Sequence, residues 1–193
     1  GRWMTLAALL VTAVGVSVWA YRLAGVAWSG VVDYRSPYLE KARAASGAGE
    51  ASVDRVVLVI VDGLRLDASR RMTSLEALRG YGADLTLEAP QPSLSYPNWT
   101  TILTGATQDV HGVVTNWHDG TVRAETLFDV AQEAGLPLVV VGPSDIATLY
   151  PAARRAEGSF FLDWSTEYLS DRYVTEALKL VERHDPRLVV IHL

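Results

Sequence analysis

Three uninterrupted apolar runs mark the chain after residue 54: RVVLVIV at 55–61, LPLVVVG at 136–142 and RLVVIHL at 187–193. Runs rich in β-branched residues and lacking polar alternation predict strands covered on both faces, as in a parallel sheet. Between them, apolar residues recur at helical spacing in SRRMTSLEALRGYG (69–82), TLFDVAQEAG (126–135) and DRYVTEALKLVERH (171–184). Strands alternating with helices of this length predict βαβ units, hence an α/β domain with α/β/α layers around a mainly parallel sheet. The domain is expected to begin near Arg55, with residues 55–193 forming its N-terminal part. DLTLEA, 84–89, alternates apolar and polar residues and predicts a further strand. In YPNWTTILTG, which follows, Pro97 suits the first turn of a helix.

The first thirty residues follow another pattern. Met4 to Tyr21 is free of charge, is bounded by Arg2 and Arg22, and is flanked by Trp3, Trp19, Tyr21 and Trp28. A helix of that length just crosses about 30 Å of hydrocarbon at ~1.5 Å per residue. The aromatic residues stand where interfacial belts stand. Residues 1–28 therefore read as a membrane anchor. A signal peptide, cleaved in the small-residue stretch LAGVAWSG, and a buried helix are the alternatives. As anchor or signal, the segment places the domain on the extracytoplasmic side. One arginine at each end does not set orientation independently. Residues 29–54, small, polar and glycine-containing without a sustained period, read as a flexible tether.

Composition narrows the chemistry. The 193 residues are 49% hydrophobic and 20% charged, enough for one sizeable core. A formal net charge of -5, with the basic residues scattered, argues against nucleic-acid backbone binding. The chain has no cysteine, so thiolate nucleophiles, disulfides and Cys-based zinc sites are excluded, and any metal would need Asp, Glu, His or hydroxyl ligands.

In a parallel α/β sheet, ligands collect at the carboxyl ends of the strands. Asp62 stands there after the first run, followed by Gly63, which permits a sharp turn. Its carboxylate suits a hard cation, or it caps the turn. Ser95, in PSLSYPN, stands at or just before a helix N-terminus, where backbone N–H groups favour an anion. It can serve as a nucleophile if its hydroxyl is activated, or as a helix cap. Asn98-Trp99-Thr100 also spells a glycosylation sequon.

VLVIVDGLR (58–65), PSLSYPNWTTILTG with TQDVHGVVTN (92–116), and TLFDVAQEAGLPLVVVG (126–142) resemble, in order and spacing, successive blocks of the alkaline phosphatase superfamily. The branch they resemble is the type I phosphodiesterase/nucleotide pyrophosphatase group. That resemblance implies a metal-dependent hydrolase of phosphate esters with two zinc ions about 4 Å apart. It makes Asp62 a metal-binding aspartate and Ser95 a metal-bound nucleophile that becomes phosphorylated, where this branch usually has Thr. Asn98 matches an asparagine that hydrogen-bonds a phosphoryl oxygen. His111 resembles a structural element of the family, and His118, His184 and His192 read as structural or surface residues. The remaining zinc ligands of the family, a D-x-x-x-H block and later Asp-His and His positions, are expected beyond Leu193; with Gly1 in place of an initiator, the chain reads as a piece of a longer protein. Trp99 stands where a sulfatase would have arginine. A membrane-anchored phosphoethanolamine-type transferase and a catalytically inactive, anchored binding module are the alternatives.

Overall fold

The structure, a computed structural model, describes residues 1–39, 53–163 and 170–193. Helix α1 (Arg2–Val32) has no buried residue, touches the domain near its C-terminal end, where Trp28 packs on Trp117, and is long and apolar enough to cross a membrane. It continues well past Tyr21, through Arg22 and Trp28. Half of the segment expected to be a tether, residues 40–52, lies outside the described residues, and its first residues, 29–32, complete α1.

The domain runs β1 (Val56–Ile60), α2 (Leu66–Ser69), α3 (Thr73–Tyr81), α4 (Ser95–Thr104), α5 (Gln108–His111), α6 (Leu127–Glu133), β2 (Leu138–Pro143), α7 (Ser144–Leu149), α8 (Pro151–Arg154), β3 (Gly158–Leu162), α9 (Ser170–His184) and β4 (Leu188–His192). The strands form one parallel sheet in the order β1-β4-β2-β3. The three apolar runs are thus β1, β4 and β2, side by side as expected.

Alternation along these strands builds two cores, because successive side chains of a strand point to opposite faces. Leu138, Val140, Leu188, Val190 and Ile60 pack with Trp99, Leu103 and Phe128 on one face. Val139, Val141 and Val189 pack with Tyr173 and Ala177 of α9 on the other. Each fully buried Val or Leu contributes roughly 1.5–3 kcal/mol. Helices on both faces confirm the layered α/β architecture. The helix boundaries follow from local chemistry: Thr126 and Asp129 form a reciprocal capping box at the start of α6, and Gly105 closes α4 in the left-handed region at φ 65.

Three expectations need correction. Residues 84–89 form no strand: Leu85 and Leu87 are exposed, so the alternating pattern has no partner against which to bury an apolar face. The 69–82 helix is divided, with a turn at Arg70–Met72 separating α2 from α3. β1 is an edge strand and is not covered on both faces; Val57 and Val59 are 55% and 48% exposed, because α9 packs on β2, β3 and β4 and does not extend over β1. β3, whose GSFFL sequence is neither continuous nor strictly alternating, carried no clear strand signal.

Candidate active site

The carboxyl edge of the sheet gathers groups from three strand ends. After β1 the backbone turns at Gly63, φ 68, and Asp62 uses both carboxylate oxygens. Oδ1 accepts the Gly63 N–H at 2.9 Å, while Oδ2 accepts the Ser95 hydroxyl at 2.8 Å. Asp62 therefore pins its own turn and reaches across 33 residues to Ser95. Ser95 is the first residue of α4, and Leu94 is the N-cap residue, without a side-chain cap. The serine is not a helix cap, because its hydroxyl donates to Asp62.

The first turn of α4 offers fewer open donors than a bare helix end. Tyr96 N–H donates to Asn116 Oδ1 at 2.9 Å, Pro97 has no N–H, and Asn98 N–H donates to the Leu94 carbonyl. Among the described residues none accepts the Ser95 N–H, which lies beside the hydroxyl. The Asn98 amide also turns back, donating through Nδ2 to the Leu94 carbonyl at 2.9 Å. This bond takes one of its two N–H groups and leaves the other for a ligand. The sequon is part of the packed helix, with Trp99 and Thr100 buried, an arrangement that does not present Asn98 as a glycan acceptor.

Two nearby groups were not singled out from sequence. Asp145, at the start of α7 just after β2, accepts the Tyr96 hydroxyl; burial and this carboxylate push the Tyr96 pKa well above its ordinary value. The pattern LVVVGPSD contained the clue, an aspartate two residues past a strand, at the same edge as Asp62. Asn116 had no such signal, since its contact with Tyr96 joins positions 20 residues apart, across the rest of α4, α5 and the loops on either side of α5.

His192, expected to be structural or on the surface, is buried at the end of β4, beneath Asp62 and Asp145. Its ring meets Trp99 edge-on at 4.3 Å. Burial pushes its pKa down to about 4 against the opposing pull of the two carboxylates, so the imidazole is neutral. His111 is structural as expected: Nδ1 accepts the Val113 N–H, Nε2 meets Thr101 Oγ1 at 3.1 Å, and burial lowers its pKa to about 4. His118 is half-buried with its pKa lowered by burial, and His184 packs over Gly158. None of these histidines joins a group of three or more potential metal ligands among the described residues.

Comparison with known proteins gives a family match for most of the domain. The model of the type I phosphodiesterase / nucleotide pyrophosphatase family matches residues 56–185, which include Asp62, Ser95 and Asn98. No curated protein and no solved structure matches the chain.

Proposed function

The chain belongs to the type I phosphodiesterase / nucleotide pyrophosphatase family, and from that premise we propose that it hydrolyses phosphate esters through a phosphorylated Ser95, with Asp62 as the partner of the nucleophile. The observation that carries this reading is the 2.8 Å hydrogen bond from Ser95 Oγ to Asp62 Oδ2. It aims the hydroxyl and supplies an acceptor for its proton. Attack of Oγ on phosphorus forms the Ser95–phosphate bond as the ester P–O bond breaks, and the leaving oxygen takes a proton from water. Attack of water then breaks the Ser95–phosphate bond, releasing phosphate from a monoester substrate or the remaining monoester from a diester, and Asp62 returns the proton to Oγ. The open Ser95 N–H and the second Asn98 N–H would stabilise charge on the phosphoryl oxygens.

The donors decide how far zinc suits the described residues. Asp62 and Ser95 present adjacent oxygens, suited to a dication, but tetrahedral zinc takes four ligands and the described residues supply no cluster that completes the set. They fit part of a cation site. A dication shared by the two oxygens would favour the Ser95 alkoxide. In the same reading, α1 anchors the protein in a bilayer with the domain outside the cytoplasm.

The test is hydrolysis of bis(p-nitrophenyl) phosphate by the full chain supplied with zinc. Ser95→Ala should lower turnover at least about 10³-fold with unchanged circular dichroism, because it removes the group that bonds to phosphorus. Asp62→Asn should lower turnover and weaken zinc binding measured by calorimetry. A Ser95→Ala protein that keeps most of its activity would overturn the assignment, and a folded wild-type chain with neither hydrolysis nor phosphate binding would leave the inactive module as the reading.

A further inference from the structure

A cavity of about 200 Å³ lies where α1 meets the domain, and neither Asp62 nor Ser95 lines it. One wall is the end of α1 and the residues after it, including Asp33 and Arg35; the other is the loop carrying His118, Asp119, Thr121 and Arg123. The junction is built, not incidental. Ser36 Oγ donates to the Asp109 carbonyl, and Gly112 lies so close to Ser36 that an added Cβ would approach the Ser36 nitrogen to 3.2 Å. Trp28 of α1 packs on Trp117 of the loop with ring centroids 5.4 Å apart.

Two properties of this cavity point to a ligand. It is lined by two arginines and two aspartates, and none of the four forms an ion pair among the described residues. Both signs of charge are left open around one small space, the complement of a zwitterion. Its volume is below the roughly 300–1,000 Å³ of pockets for drug-sized ligands, and so suits a headgroup rather than a nucleotide. The second property is position. Trp28 and Trp117 remain 52% and 61% exposed, although large aromatics with a polar edge favour the membrane interface. Trp3 and Trp28 are about 38 Å apart along α1, between the ~30 Å hydrocarbon thickness and the ~40–45 Å of the bilayer with headgroups. That span puts both tryptophans at interfaces and the cavity at the headgroup level of one leaflet. Arg22 then lies a short way inside, within reach of the interface by extending its side chain.

We propose that this cavity binds the headgroup of a zwitterionic phospholipid bearing a primary ammonium, with Arg35 and Arg123 on the phosphate and Asp33 and Asp119 on the ammonium. A primary ammonium donates hydrogen bonds to carboxylates, which a quaternary one cannot do. The site would hold the domain close against the membrane, with the loop beside Trp117 resting on the lipid. This inference rests on the anchoring of α1 and is independent of phosphate-ester hydrolysis.

The experiment uses the full chain. Flotation with phosphatidylcholine vesicles first reads anchoring, and native mass spectrometry from micelles doped equally with phosphatidylethanolamine, phosphatidylcholine and phosphatidylglycerol then reads lipid choice. The chain should float, and should retain phosphatidylethanolamine at least fivefold over either other lipid. The Arg35→Gln, Arg123→Gln double variant should lose that preference while still floating. So should Thr121→Trp, which fills the cavity without removing a charge. Failure to float overturns anchoring and the cavity assignment together. Floating without lipid preference, or a preference that survives both variants, overturns the cavity assignment alone. Equal competition by free glycerophosphoethanolamine would show that the ligand is a soluble phosphodiester and overturn the bilayer source.

Discussion

β1 and β2 look alike in sequence and differ in the fold. Both are continuous β-branched runs followed closely by glycine and aspartate. β2 is buried at every position, between β4 and β3 with helices on both faces, whereas four of the valines at 56–61 are exposed at the sheet edge. The difference teaches that apolar continuity reports the need for cover without saying whether a strand obtains it. It also separates two duties. β2 carries the core, while β1, tied to β4 alone, delivers Asp62 to an open rim where it meets Ser95. An exposed strand edge is otherwise a liability for association, and β1, like β3 at the other end of the sheet, presents one among the described residues.

Substitutions in the two strands test this division. The largest effect is expected for Leu138→Ala at the start of β2, where a fully buried side chain leaves a cavity against the α6 side of the core; unfolding in urea should show a loss of about 2–5 kcal/mol. Gly142→Ala, farther along β2, should cost about 1–3 kcal/mol, because the new Cβ would meet His192 Cβ at 2.9 Å and both are fixed to backbone. Val59→Thr, on the open face of β1, should change stability by no more than about 0.5 kcal/mol. If Val59→Thr cost as much as Leu138→Ala, β1 would be covered in solution and the contrast would be wrong.

Much of the fold was legible because it depends on local pattern. Unbroken valine and leucine runs can bury two faces only in a covered sheet, and the helical spacing of 171–184 places Tyr173 and Ala177 on one stripe, which is the stripe buried against the sheet. DLTLEA shows the limit: alternation describes a strand with a partner, and here no neighbour supplies one. β3 shows the converse, since GSFFL becomes a strand through its parallel pairing with β2.

For the site, sequence determined the residue types and their edge of the sheet: Asp62 just past a strand, Ser95 at a helix start, and no cysteine to offer another nucleophile or ligand. Tertiary structure alone decided what each group does with its hydrogen bonds. Ser95 donates to Asp62 instead of capping α4, Asn98 spends one N–H on Leu94, Asn116 occupies the Tyr96 N–H, and Asp145 arrives from β2. It also decided that β1 stands at the edge and that His192 is sealed beneath the site. The physical reason is range: turn chemistry and periodicity act over a few residues, whereas strand order and side-chain pairing join positions 20 to more than 100 residues apart, and only the packed chain brings those positions together.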